Sequence, residues 1–190
     1  MVELVFFLEE LSAKAMLEGL LPRLLPENVH PIYVVFEGKT DLEKRLPGKL
    51  QSWQNPNSIF VVLRDQDSGN CIEIKQTLQT ICTQAGKPDS LIRIACRELE
   101  SWYLGDLEAI EQGLNIPGFS RQYQNKSKFR NPDRLNNAAE ELSKITKHKY
   151  QKISGSRKIG KCLGNRRNKS CSFVAFVRGV KNRLDLPSLT

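Results

Sequence analysis

Residues 59–71 read IFVVLRDQDSGNC, and no other stretch narrows the fold as much. Residues 59–63 are apolar without alternation, the pattern of a strand buried on both faces of a parallel sheet. The run stops on Asp65 and Asp67, two carboxylates two positions apart, where a strand hands over to the next element. Open α/β sheets bind ligands just beyond the carboxyl ends of their strands. In extended backbone, side chains at i and i+2 face one way and can share a divalent ion. The competing reading is a polar turn that caps a helix starting near Cys71.

The surrounding chain alternates strand and helix patterns. Residues 2–8 read as a first strand. Residues 11–25 follow as an amphipathic helix with Leu17, Leu20, Leu21, Leu24 and Leu25 inward, kinked or shortened by Pro22. A second strand over 31–36 precedes a helix over 39–53 that Pro47-Gly48 should shorten or break. A helix over 72–84, a strand over 91–95 and a helical segment from 98 to 104 complete the series. This order predicts an α/β fold: a parallel, Rossmann-like sheet of about four strands, helices on both faces and right-handed crossovers. Beyond it, 118–130 reads as a loop. Asn131-Pro132 reads as a helix start whose buried stripe is Leu135, Ala138, Ala139, Leu142 and Ile145. Residues 171–180 form a short apolar closing element whose type the sequence leaves open.

Charge divides the chain in two. Residues 1–120 hold 11 Lys/Arg and 17 Asp/Glu, whereas residues 121–170 hold 15 and 3. We therefore expect an acidic core over 1–120 and a basic, mostly helical extension over 121–190 packed on it. Such an asymmetry fits a polyanionic partner, although a merely solubilising surface explains it too. Five scattered cysteines without a CxxC pair and two distant histidines argue for a reducing, cytoplasmic setting and against a zinc finger. The apolar opening residues carry Glu3, Glu9 and Glu10 without a basic flank, so neither a signal peptide nor a membrane association is expected.

Acids follow three of the strands: Glu9 and Glu10, then Asp65 and Asp67, then Glu98 and Glu100. If strands one and three are neighbours, these ends converge on one crevice. Gathered carboxylates repel unless a cation balances them, and oxygen ligands suit Mg²⁺ or Mn²⁺. Glu100 is a further ligand or a proton-transfer group, whereas Glu98 serves equally well as a helix cap. Residues 155–162, GSRKIGKC, nearly spell a phosphate-binding loop, but Cys162 replaces the Ser or Thr and no strand precedes it. Lys158 is the expected charge partner of a transition state. Arg157, Lys161, Arg166, Arg167 and Lys169 are the expected nucleic-acid contacts. Arg64 is expected to orient the acidic pair.

This order resembles the Toprim catalytic domain of topoisomerases, bacterial primases and overcoming-lysogenization-defect nucleases. More closely, the chain resembles the Toprim-like family catalogued as domain of unknown function 4276. The resemblance lies in FLEELSAKAMLEGLLPRLLP, FEGKTDLEKRLPGKL, FVVLRDQDSGNC, IRIACRELESWYLGDLEAI, KFRNPDRLN and NKSCSFVAF. It implies a metal held by Glu9, Asp65 and Asp67, with Glu10 standing where Toprim proteins usually have Gly. Glu37, in the string FEGKTD after the second strand, is the alternative first acid. The resemblance also implies a setting of mobile-element or antiviral defence beside a RecF- or SMC-like ATPase.

The expected function is a Mg²⁺- or Mn²⁺-dependent nuclease, with DNA placed ahead of RNA and the oligomeric state left open. The alternative is a non-catalytic nucleic-acid-binding or docking partner of such an ATPase. A sugar-nucleotide-binding Asp-x-Asp is a third reading, which lacks an evident acceptor domain.

Overall fold

The structure, a computed structural model, describes residues 2–186; the last four residues of the expected basic extension lie outside the described residues. Four strands form one parallel sheet: β1 (Val2–Leu8), β2 (Val29–Val35), β3 (Ser58–Asp65) and β4 (Leu91–Ala95), in the order β2-β1-β3-β4. β1 is central, and Leu4 to Leu8 are wholly covered, as a continuous apolar run requires. Pro31 is tolerated inside β2 because that strand lies at the sheet edge. The chain leaves β1 toward β2 on one side and continues through β3 to β4 on the other. The ends of β1 and β3 therefore flank the topological switch point.

One face of the sheet is covered by α2 (Lys39–Gln51) and α3 (Cys71–Gln84), over Val5, Phe7, Val62 and Ile92. α2 runs unbroken through Pro47, against expectation. An interior proline costs about 3 kcal/mol. Leu42, Leu46 and Leu50 are fully buried at helical spacing, each contributing about 1.5–3 kcal/mol, so the stripe outweighs the proline. α3 is capped by Asn70, whose Oδ1 accepts from the Ile72 amide at 2.9 Å.

The other face carries α1 (Leu11–Leu20), α4 (Glu100–Leu104), α5 (Leu107–Leu114), α6 (Phe119–Tyr123), α7 (Ala138–Ile145), α8 (Lys152–Gly160) and α9 (Cys171–Arg183). Its core joins Phe6, Val61 and Leu63 to Trp102, Phe173 and Phe176. α1 stops short of the expected Leu25 because Pro22 cannot donate, and a 3₁₀ turn over Leu21–Arg23 follows. The expected loop at 118–130 is partly helical, anchored by buried Phe119 and Phe129 with Tyr123 between their rings. Asn131-Pro132 opens a 3₁₀ turn rather than a long helix. Asp133 in that turn accepts from the Ser170 hydroxyl (2.6 Å) and the Ser172 amide (2.9 Å), which ties it to α9. α9 resolves the closing element as a helix: Ser170 caps it, and Phe173, Phe176, Val177 and Val180 line its buried side.

α8 lies against α1 in the same direction, backbone to backbone. A Cβ on Gly19 would lie 2.6 Å from the Arg157 carbonyl oxygen, and one on Gly160 would collide with the Met16 carbonyl. The near-miss of a phosphate loop is thus a helix whose glycine permits close packing.

Candidate functional site

The carboxyl ends of β1 and β3 hold the expected first acids side by side. Glu9 directly follows β1, and its Oε2 accepts from the Asp65 amide at 3.0 Å. Asp65 closes β3, and its Oδ2 accepts from the Leu99 amide at 3.2 Å. Burial, reinforced by the charges of Asp67 and Glu10, holds the Glu9 carboxyl above its ordinary pKa despite the Asp65 amide and Arg64. Burial, followed by the charges of Glu100, Glu10 and Glu9, pushes Asp65 well above its own. Glu100 is 2% exposed and is also raised, chiefly by burial. The strand ends do converge, and Glu9, Asp65 and Glu100 occupy one electrostatic neighbourhood.

Asp67 is turned to other partners. The i, i+2 rule holds in extended backbone, but β3 ends at Asp65, and Asp67 has a left-handed φ of 54°. Its amide donates to the Arg97 carbonyl at 2.8 Å, and its Oδ2 pairs with Lys39 Nζ at 2.8 Å. Arg97 is itself left-handed and donates from Nη1 to the Asp67 carbonyl at 3.3 Å. Lys39 belongs to the FEGKTD string, which forms the start of α2. There Asp41 accepts from the Glu37 amide (3.2 Å) and pairs with Arg45 (3.1 Å), while Glu37 is exposed. Arg64 is 5% exposed and reaches Glu43 Oε1 at 2.5 Å, with Glu9 3.9 Å away.

The last two acids grip the C-terminal region. Glu98 Oε2 accepts from the Ala139 amide at 2.7 Å, so it caps α7. Glu100 Oε1 accepts from the Tyr150 hydroxyl at 2.7 Å, and that hydroxyl lies 3.1 Å from Ser156 Oγ. The Tyr103 hydroxyl is buried, and its pKa is pushed up by burial and then by the Glu100 charge, against a weak interaction with Ser156. Lys152 Nζ pairs with Glu10 Oε2 at 2.6 Å. Burial works against the Lys152 charge, but Glu10, Glu100 and Asp65 outweigh it and raise the pKa. Sequence reading missed Tyr150 and Lys152, because only the α1–α8 contact carries residue 152 to residue 10. A buried-looking tyrosine inside a basic segment was the one available signal.

The structure does not bring Lys158 to these acids. It is exposed on α8, six residues past Lys152 and so about 9 Å farther along the helix. Arg157 is paired with Glu18 at 2.6 Å, and Arg167 with Asp106 (2.7 Å) and Glu108 (3.5 Å). Lys161, Arg166 and Lys169 are exposed. A cavity of about 300 Å³ lined by Ser58, Phe60, Lys87 and Ser90 lies at the opposite, amino end of β3 and β4. Among the described residues, no group of three or more His, Cys, Asp or Glu side chains is disposed to hold a metal ion.

The family described as Domain of unknown function (DUF4276) matches residues 8–181. The chain belongs to that family. No curated protein and no solved structure matches it. The DUF4276 match spans all four strand ends and the helices around them, and the parallel sheet with helices on both faces is consistent with a Toprim-like fold. All five cysteines of this DUF4276 chain are free, and among the described residues no helix is long and apolar enough to cross a membrane.

Proposed function

We propose that the chain is a metal-dependent phosphodiester hydrolase acting on nucleic acid, with its reaction centre between β1 and β3. One observation carries the reading: Glu9 and Asp65 are hydrogen-bonded neighbours at the switch point, half-buried beside Glu100 and Lys152. Glu9 Oε1 and Asp65 Oδ1 accept no hydrogen bond from a described residue, and an all-oxygen donor set suits a hard cation. Glu9 and Asp65 would hold Mg²⁺ or Mn²⁺, with Asp67 joining them once released by Lys39. Such an ion, when bound, polarises a phosphoryl oxygen and lowers the pKa of water.

The chain's own residues supply the rest of the proposal. Lys152 takes the place first given to Lys158, a cation beside the reacting oxygens. Glu100, bonded to Tyr150, is the proton-transfer group. Lys161, Arg166 and Lys169 extend the cationic surface along which a strand would lie, with Arg157 and Arg167 joining once released by Glu18 and Asp106. The family resemblance adds a defence or mobile-element setting and a RecF- or SMC-like ATPase as partner.

A second reading, a non-catalytic nucleic-acid-binding or docking partner of that ATPase, is favoured by one observation. Asp67 is paired with Lys39, and no three-acid metal group exists among the described residues. Incubating the full chain with Mn²⁺ and end-labelled single- and double-stranded DNA and RNA separates the two. The hydrolase reading expects cutting that Asp65→Ala abolishes while binding persists. Binding without cutting, with and without the ATPase, establishes the second reading instead.

A further inference from the structure

We propose that the 147–149 loop, with Lys144 at the end of α7, is the phosphate-backbone-binding element of this site. The proposal rests on the reading that the site's ligand is a nucleic acid, and it holds whether or not that ligand is cut.

The loop joins α7 to α8, and both flanks are fastened to the acids at the sheet's crest. On one side Glu98 accepts from the Ala139 amide at 2.7 Å. On the other, Tyr150 donates to Glu100 at 2.7 Å, and Lys152 pairs with Glu10 at 2.6 Å. Lys149 is therefore one residue from a side chain that touches the candidate reaction centre.

Lys144, Lys147, His148 and Lys149 are all exposed, and none is paired with an acid among the described residues. His148 Nδ1 lies 2.9 Å from Ser143 Oγ. By contrast Lys128, Arg157 and Arg167 are neutralised by Glu141, Glu18 and Asp106. This loop thus gathers exposed, uncompensated cations directly beside Tyr150 and Lys152, the two side chains of the basic region that reach the acids. An uncompensated cluster attracts phosphates, whereas a neutralised one must first break its own pair.

The loop is also held in an uncommon shape. Lys147 and His148 are consecutive left-handed residues, with φ of 51° and 61°. Each such residue costs about 1–3 kcal/mol. The His148 amide donates to the Ser143 carbonyl at 2.8 Å, and the Tyr150 amide to Thr146 Oγ1 at 3.3 Å. Buried Thr146 in turn donates to the Leu142 carbonyl at 2.7 Å. This network fixes the backbone and leaves the three basic side chains in solvent, a preorganised cationic edge.

The test measures binding of the full chain to a labelled 20-nucleotide single strand by fluorescence anisotropy, in EDTA, across a salt series. Each phosphate contact on a single strand contributes about 0.7 to the slope of log K against log salt. The double variant Lys147→Ala/Lys149→Ala should bind more weakly and lose roughly 1.4 of that slope. Lys44→Ala/Lys49→Ala on α2 should leave both unchanged, and Lys147→Arg/Lys149→Arg should restore them. A slope unchanged in the loop variant, or a wild-type chain that binds no strand at low salt, overturns the proposal. Lysine acetylation footprinting of the wild type needs no variant. Oligonucleotide should protect Lys147 and Lys149, and equal labelling with and without it overturns the proposal as well. A chain that binds through the loop but never cuts with Mn²⁺ removes the hydrolase reading alone. A loop variant that binds and cuts like wild type removes this proposal alone.

Discussion

The Asp65 amide donates to the Glu9 carboxylate across 3.0 Å, so the last residue of β3 orients the first acid after β1. The Glu9 side chain is thus held by the end of β3, and the Asp65 side chain by the Leu99 amide in the turn after β4. Burial nevertheless raises the pKa of both carboxyls, helped by the charges of Asp67 and Glu10 at Glu9 and of Glu100, Glu10 and Glu9 at Asp65.

Stability should therefore rise as metal-free buffer is acidified from pH 7 toward about 5. Glu9, Asp65 and Glu100 all bind protons more tightly folded than unfolded, and unfolded carboxyls titrate near 4. Over that window the native state gains protons the unfolded state does not, which stabilises it; the gain is lost again as pH rises through the folded values. Glu3 and Glu111 are shifted the other way, so their opposing loss falls at lower pH. Urea midpoints across pH 5–8 check the sign, and a midpoint that falls on acidification refutes it.

Asp65→Asn should stabilise the metal-free protein by about 0.5–2 kcal/mol, because it removes a poorly solvated charge from among like charges and keeps an acceptor for the Leu99 amide. The same substitution should abolish any Mn²⁺-induced rise in melting temperature. Both effects are read in one thermal-melt series.

Tyr150→Phe should cost about 1–3 kcal/mol by leaving buried Glu100 Oε1 without its donor. The loosening should be local. Hydrogen exchange should accelerate in residues 146–152 before it does so in β1, and uniform acceleration would contradict the assigned role.

Gly160→Ala should destabilise by about 1–3 kcal/mol, since the new methyl meets the Met16 carbonyl and forces α8 off α1. Addition of Mg-ATP to the wild type should leave its melting temperature unchanged. The amides across residues 155–162 are engaged in and just after the helix, Gly155 to the Gln151 carbonyl at 2.6 Å and Lys161 to Arg157 at 3.3 Å. None is presented as an anion-binding loop.

Much of this architecture was legible in the chain because strand burial writes itself as apolar runs. The cores of all four strands and the helices between them follow from residues 1–104 alone, whereas the adjacency of Glu9 and Asp65 was conditional on β1 pairing with β3, which the sheet order supplies. The expected common face of Asp65 and Asp67 is not met for a local reason: sequence spacing assumes extended backbone, and β3 stops two residues earlier than that assumption needs. Pro47 was misjudged because a propensity penalty is local, whereas the burial of Leu42, Leu46 and Leu50 is tertiary. Lys152 was invisible because no local pattern reports that α8 docks on α1. The glycines that permit the contact read instead as a damaged phosphate loop.

The pairing of α1 with α8 has a consequence for synthesis. Residues 11–20 emerge from the ribosome early, yet the surface they need is not made until residues 152–160 follow. Until then α1 has an uncovered flank, and Glu10 lacks its lysine. Contacts this distant along the chain slow folding and keep apolar surface open meanwhile. The acidic crest is consequently completed only once residues 152–160 have been made. A nascent chain carries both Glu10 and Asp65 long before it carries Lys152, the cation that faces them.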